Sequence, residues 1–192
     1  MSIITLSGLD GSGKSTQIEF LKNYLKSQDK TFFYVHAVEF SIANKNRRDP
    51  IPTIKSATKA NWLQIQLRKI ALLVDICRFR RLMKKLKVDY IISDRYFYDS
   101  VANIEYLKRR HRMSRMLVEK YIPKPDFAFY IDAKPETIMQ RERKPDQGME
   151  YLRTKEKLFS DRIKKWNMIV LDGERSKEEI FNKIKQRALS LS

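Results

Sequence analysis

The sequence predicts an α/β fold: one five-stranded parallel sheet with helices on both faces. Three observations carry this reading. Five short apolar runs alternate with longer stretches of helical periodicity, the pattern of consecutive βαβ units. A glycine-rich stretch, GLDGSGKST (8–16), follows the first run directly and opens into a helix. No internal repeat or low-complexity linker interrupts the alternation, and 192 residues make one domain's worth of chain, so 1–192 reads as one domain.

The five runs are IITLS (3–7), TFFYVHAV (31–38), VDYIIS (88–93), DFAFYIDA (126–133) and NMIVLD (167–172). After the first, TQIEFLKNYL begins the first helix. Segment 39–56, rich in charge, Asn and Pro, reads as a functional loop. From 63 to 77, Leu63, Leu67, Ile70, Val74 and Cys77 recur at helical spacing and form one stripe. Leu72, Ile76, Phe79 and Met83 form a second stripe on roughly the opposite side. A helix apolar on two sides must be covered twice, by the sheet and by either another helix or a second subunit. Segment 143–150 is a second functional loop, and the last helix begins with a capping box, Ser176 as N-cap with Glu179 three residues on.

Composition narrows the class. An apolar content of 42% suits a globular protein and argues against wholesale disorder. Cys77 is the sole cysteine, which excludes an internal disulfide and fits a reducing interior. No charged leader, apolar segment and cleavage site precede SIITLSG, and IALLVDIC, the longest apolar stretch, is far too short to span a bilayer. A cytoplasmic protein without membrane association is expected. The formal charge of +17 attracts polyanions, but the basic residues are spread along the chain and read as a solvated surface. The clusters RFRRLMKKLK (78–87) and LKRRHRMSR (107–115) are the densest. With no recognised DNA- or RNA-reading module, nucleic acid is not an expected partner. His36 and His111 stand alone, without a neighbouring ligand set, and read as ordinary strand and loop residues.

GLDGSGKST fits the G-x-x-x-x-G-K-[ST] pattern between a strand and a helix, the context that separates it from a chance glycine-rich turn. Gly8, Leu9, Asp10, Gly11, Ser12, Gly13, Lys14, Ser15 and Thr16 would wrap the phosphates of ATP with backbone N–H donors at a positive helix end. Lys14 would reach the β- and γ-phosphates, and the Ser15 hydroxyl would ligate Mg²⁺. A second cluster, SDRYFYDSVAN (93–103), follows the third apolar run. Asp94 at that strand's end can hold the Mg²⁺ water shell beside Ser15, and the Arg95 fork can clamp a phosphate.

With these pieces in place the chain resembles the thymidylate kinases, over nearly its whole length. The likeness rests on GLDGSGKSTQ, on DRY at 94–96 with Ala102 downstream, and on PDFAFYIDAKPE (125–136). It continues through an arginine-bearing lid, RERKPDQGME (141–150), the following YLRTKEKLFSDRIKKW, and LDGERSKEEI. The resemblance implies an adenylate-kinase-like, three-layer P-loop fold, ATP and Mg²⁺, and a lid at about 141–150. It also implies a homodimer with the 63–83 helix partly in its interface. The implied reaction passes the γ-phosphoryl group of ATP to a pyrimidine deoxynucleoside monophosphate, dTMP to dTDP. Its catalytic set is Asp10, Lys14, Arg95 and the lid arginines Arg141 and Arg143, and the loop at 172–176 would pack near the adenine.

The implied acceptor site is Arg78, Arg95, Tyr96, Val74 and Asn103, and here the chain departs from the family's pattern. Val74 stands where a phenylalanine stacks on the base, four residues before Arg78, and Asn103 stands where an aromatic residue crowds the ribose 2′ position. Gly11 replaces an arginine some members carry after the P-loop acid. After the second strand only Lys45, Arg47 and Arg48 substitute for the usual phosphate-gripping arginine. Another nucleoside monophosphate kinase remains an alternative. A deoxynucleoside kinase with Glu39 as base is a second, and an ATP-switched nucleic-acid-binding protein is the remote third.

Overall fold

The computed structural model describes residues 1–42, 60–108, 117–141 and 144–189. In chain order the elements are β1 (Ser2–Gly8), α1 (Lys14–Ser27), β2 (Phe32–His36), the single-turn α2 (Ala37–Phe40) and the long α3 (Trp62–Lys85). Next come β3 (Tyr90–Asp94), α4 (Phe97–Lys108), a 3₁₀ turn (Leu117–Tyr121) and β4 (Phe127–Asp132). The chain continues through α5 (Pro135–Gln140), α6 (Gly148–Ser160), β5 (Ile169–Asp172) and α7 (Lys177–Ala188). The strands form one parallel sheet in the order β2-β3-β1-β4-β5, as the alternation of runs and helices predicts.

Strand periodicity sorts the core into two layers. Ile4, Leu6, Ile92, Phe129 and Ile131 meet Ile18, Leu21 and Leu25 of α1 and Ile180 and Ile184 of α7. On the other face, Ile3, Ile91 and Tyr130 meet Leu72, Ile76 and Phe79 of α3, Val101 and Ile104 of α4, and Phe159 of α6. Sheet and two helical layers make the three-layer architecture, and the central strands are covered on both sides, which is why they read as continuous apolar runs.

The structure decides which stripe of α3 the core takes. Leu72, Ile76 and Phe79 are buried, whereas Leu63, Leu67, Ile70 and Val74 stay exposed, Leu67 at 56% and Ile70 at 57%. The helix starts at a capping box the sequence reading did not pick out, Asn61 with Gln64. Strand ends also shift. β2 stops at His36, where its pairing with β3 ends at Asp94, and the chain turns into α2 instead of running on to Val38. β3 begins at Tyr90 because Asp89 is engaged beforehand, its carboxylate accepting from Thr31 N at 2.7 Å and Thr31 Oγ1 at 2.8 Å.

This topology brings the carboxyl ends of β1, β3 and β2 together: Leu6 and His36 flank Asp94 in register. In open parallel sheets, ligands bind outside these ends where the strand order reverses.

Gly173, just past β5, donates its N–H to Asp132 O at 2.8 Å, and a Cβ there would lie 2.8–2.9 Å from Cβ, Cα and N of Ala133. Because backbone must move to admit it, Gly173→Ala is expected to cost about 1–3 kcal/mol. Urea denaturation checks this, and an unchanged midpoint would contradict the packing described.

Candidate functional site

The glycine-rich loop joins β1 to α1. Gly13 caps α1 with φ +100°, a left-handed conformation that favours glycine, and Ser12 N closes the turn on Leu9 O at 3.1 Å. Leu9 is buried among Ala133, Ile138 and Leu152, which anchors the loop against α5 and α6. Lys14 is itself buried, with Nζ donating to Leu9 O at 2.6 Å and Gly8 O at 3.1 Å. Burial, with repulsion from Arg95, pulls it down to about 8, against the attraction of Asp10, Asp99 and Asp94. Ser15 is exposed in the first turn of α1 and Thr16 half-buried behind it.

Asp94 is buried at the end of β3, its Oδ2 3.4 Å from Tyr34 OH and 3.9 Å from His36 Nε2. One strand-end carboxylate and one exposed hydroxyl are the donor set Mg²⁺ takes when phosphates and water complete its shell, so Asp94 and Ser15 fit that ion. Among the described residues no cluster of three or more His, Cys, Asp or Glu forms a closed metal site.

Arg95 follows in a left-handed conformation, φ +62°, the kind of strain a functional residue tolerates. Its backbone N–H bonds Leu6 O at 2.9 Å, and its guanidinium bonds Asp10 of the loop. On the other side Asp99 Oδ1 lies 3.9 Å from Arg95 Nη1, while Asp99 Oδ2 accepts from Ser7 Oγ at 2.6 Å and Tyr96 N at 2.9 Å. Burial would lower the Arg95 pKa, but Asp10 and Asp99 outweigh it and raise it. For Asp10 burial acts upward and is overcome by Arg95, Lys14 and Lys155, which hold it at about 2.

Arg141 reaches in from the C-terminal end of α5, its guanidinium donating to Gly11 O and, at 3.5 Å, to Gly173 O. It thus joins the phosphate loop to the loop at 172–176. Arg143, Lys45, Arg47, Arg48 and His111 lie outside the described residues.

The acceptor-side expectations fare unevenly. Arg78 of α3 donates to Phe40 O and Asp75 Oδ1, both at 2.9 Å, with its guanidinium 4.6 Å from the Phe40 ring centre. Val74 lies on the exposed stripe of α3, and the ring against Arg78 is that of Phe40, from α2. Tyr96 is a core residue. Its hydroxyl is committed to Pro123 O at 2.7 Å, and its ring packs on Phe79, Phe97 and Tyr98 and lines a small apolar pocket with Phe40. Asn103 faces the site from α4, where its side-chain oxygen accepts from Lys155 of α6. Glu39 is exposed on α2.

Three site residues were missed: Asp99, Tyr151 and Lys155. Asp99 was detectable as the residue one helical turn after Arg95. Tyr151 and Lys155 carried no local signal, since only packing brings α6 to the loop.

Residues 6–184 match the family model described as thymidylate kinase. The chain is 27% identical over 184 residues to "Probable thymidylate kinase 1" of Saccharolobus solfataricus, covering 93% of this chain and 92% of that one. It is 30% identical over 142 residues to the thymidylate kinase of Rickettsia canadensis, covering 72% and 68%. Among solved structures, the thymidylate kinase of Candida albicans superimposes with a TM-score of 0.62 at 18% identity, over 96% of this chain and 89% of that one. A deoxyadenosine kinase from M. mycoides with bound dATP gives 0.62 at 18%, over 98% and 100%. At such identity these two speak for the fold alone.

Because Lys14 is a cation below about 8 and neutral above it, binding of a fluorescent ATP analogue is expected to weaken as pH rises through that value. Lys14→Ala should bind weakly at every pH and flatten this limb. A limb that persists in Lys14→Ala would assign the titration elsewhere.

Proposed function

The chain belongs to the thymidylate kinase family, nucleoside monophosphate kinases that use ATP, and from that premise we propose that it converts dTMP and ATP to dTDP and ADP. The observation that carries the reading is Arg95, held by Asp10 of the phosphate loop and backed by Asp99 at the sheet's carboxyl edge.

In this mechanism an oxygen of the dTMP phosphate attacks the γ-phosphorus while the bond to the β-bridging oxygen breaks. The attacking oxygen is already anionic, so no general base is required, and Asp10, ionised down to about pH 2, orients Arg95 instead of moving a proton. Transfer then depends on alignment and on cations around the spreading charge. Lys14 and the loop N–H groups of residues 8–16 hold the donor phosphates. Arg95 holds the acceptor phosphate, and Arg141 reaches the donor side, with Arg143 the second lid arginine. Ser15, and Asp94 through water, would hold Mg²⁺, which would supply positive charge against the donor phosphates. Arg78 and Phe40 offer a charge and a ring for the base, and Asn103 stands near the sugar.

The chain works as one domain, 1–192, with residues at about 141–150 as the lid, in the reducing cytoplasm. The exposed Leu63, Leu67 and Ile70 support a homodimer in which α3 packs on its counterpart, since a long apolar stripe seeks cover.

An acceptor panel tests the activity. ADP release is followed with dTMP, dUMP, UMP, CMP, AMP, GMP and thymidine in turn, with ATP and Mg²⁺. dTMP should be preferred, and Arg95→Ala should lower kcat/KM by about 10³-fold. Preference for another monophosphate would overturn the dTMP assignment, and thymidine as sole acceptor would move the chemistry to Glu39. For the dimer, sedimentation velocity should show two copies for the wild type and one for Leu67→Asp; a monomeric wild type would refute the interface.

A further inference from the structure

One wall of the site is used by nothing described so far. Tyr151 and Lys155 are four residues apart on α6, so their side chains share a face. That face is turned to the phosphate loop: Tyr151 OH lies 3.5 Å from Asp10 Oδ2. Lys155 is only 6% exposed, and its ammonium donates to the neutral side-chain oxygen of Asn103 on α4. Among the described residues no carboxylate is in ion-pairing contact with it. A buried ammonium held by an amide, with the Tyr151 ring centre 5.9 Å away, is a costly arrangement, because burial penalises a charge that lacks a close counter-ion.

A second buried group is also incomplete. Asp99 Oδ1 has no hydrogen-bond partner among the described residues, and the nearest cation recorded for it is Arg95, at 3.9 Å. The charges acting on Lys155 are those of Asp99 on α4, Arg95 at the end of β3, and Asp10 and Lys14 of the phosphate loop. Burial draws Lys155 down to about 8 against the pull of Asp99 and Asp10, so it remains mostly a cation at neutral pH.

We infer that Lys155 is a further substrate-binding residue, whose ammonium grips the acceptor's 5′-phosphate together with Arg95, exchanging Asn103 for a phosphate oxygen. This rests on the phosphoryl-transfer reading above. An ammonium offers donors and a full charge, so its strongest partner is an anion and not a sugar hydroxyl. The acceptor side is indicated by its tether. Asn103 belongs to α4, the helix that Arg95 leads into, whereas Arg141 and Lys14 bond the backbone of the loop that would hold the donor.

The test compares wild type, Lys155→Met and Lys155→Arg. Methionine keeps the stem and removes the charge, so melting temperature should hold or rise. KM for dTMP should increase about 10–100-fold in Lys155→Met, the loss expected for one hydrogen bond to a charged group. KM for ATP and the binding of thymidine, which lacks the phosphate, should not change, and Lys155→Arg should recover part of the dTMP affinity. An unchanged KM for dTMP in an active Lys155→Met enzyme overturns the assignment and leaves the kinase reading standing. So does an equal loss for dTMP and thymidine, or a fall in kcat alone. A drop in melting temperature with equal losses for dTMP and ATP overturns it in favour of a structural role. Wild type inactive on every monophosphate defeats the kinase reading itself, and this inference with it.

Discussion

The site depends on one ion pair, Arg95 with Asp10, which ties the end of β3 to the loop after β1. Arg95 is held in a left-handed backbone conformation and Asp10 stays a carboxylate throughout the working range. Behind the pair, Asp99 is fastened to β1 through Ser7. Charges withdrawn from water persist only where opposite charges and donors meet them. Here Lys14, Arg95 and Lys155 face Asp10, Asp99 and Asp94. A near-balanced cluster of this kind can re-pair when an anionic ligand enters.

The sheet delivers this cluster by burying both faces of its central strands. Register sets Asp94 level with Leu6 and His36, so loop, carboxylate and arginine emerge from one edge without a long excursion. α6 completes the enclosure through Leu152, which packs with Leu9 of the loop, and through Tyr151 and Lys155. The packing that fixes the phosphate loop thus also places the polar groups of α6.

α3 shows the limit of periodicity. Two apolar stripes on one helix are equivalent to any pattern-based reading, and only the sheet's position selects Leu72, Ile76 and Phe79 for the core. The same selection puts Val74 outside and leaves Phe40, from a one-turn helix too short to announce itself, against Arg78. The placement of Tyr96 is likewise a tertiary outcome. Next to Arg95 in sequence, it is turned by the strand-to-helix corner into an aromatic cluster with Phe79 and Phe97.

By itself the sequence determined whatever is encoded contiguously. The phosphate loop, the five strands, the DRY triplet, the capping box at Ser176 and each motif that carries the family likeness rest on residues within a few positions of one another, where backbone conformation and apolar periodicity are local properties. Tertiary structure alone decided which α3 stripe is buried, that Arg141 bridges Gly11 and Gly173, and that Asn103 meets Lys155 across 52 residues of chain. Those contacts exist because two helical layers pack on one sheet, and no short stretch of sequence carries the distance between its own side chains and those of another element.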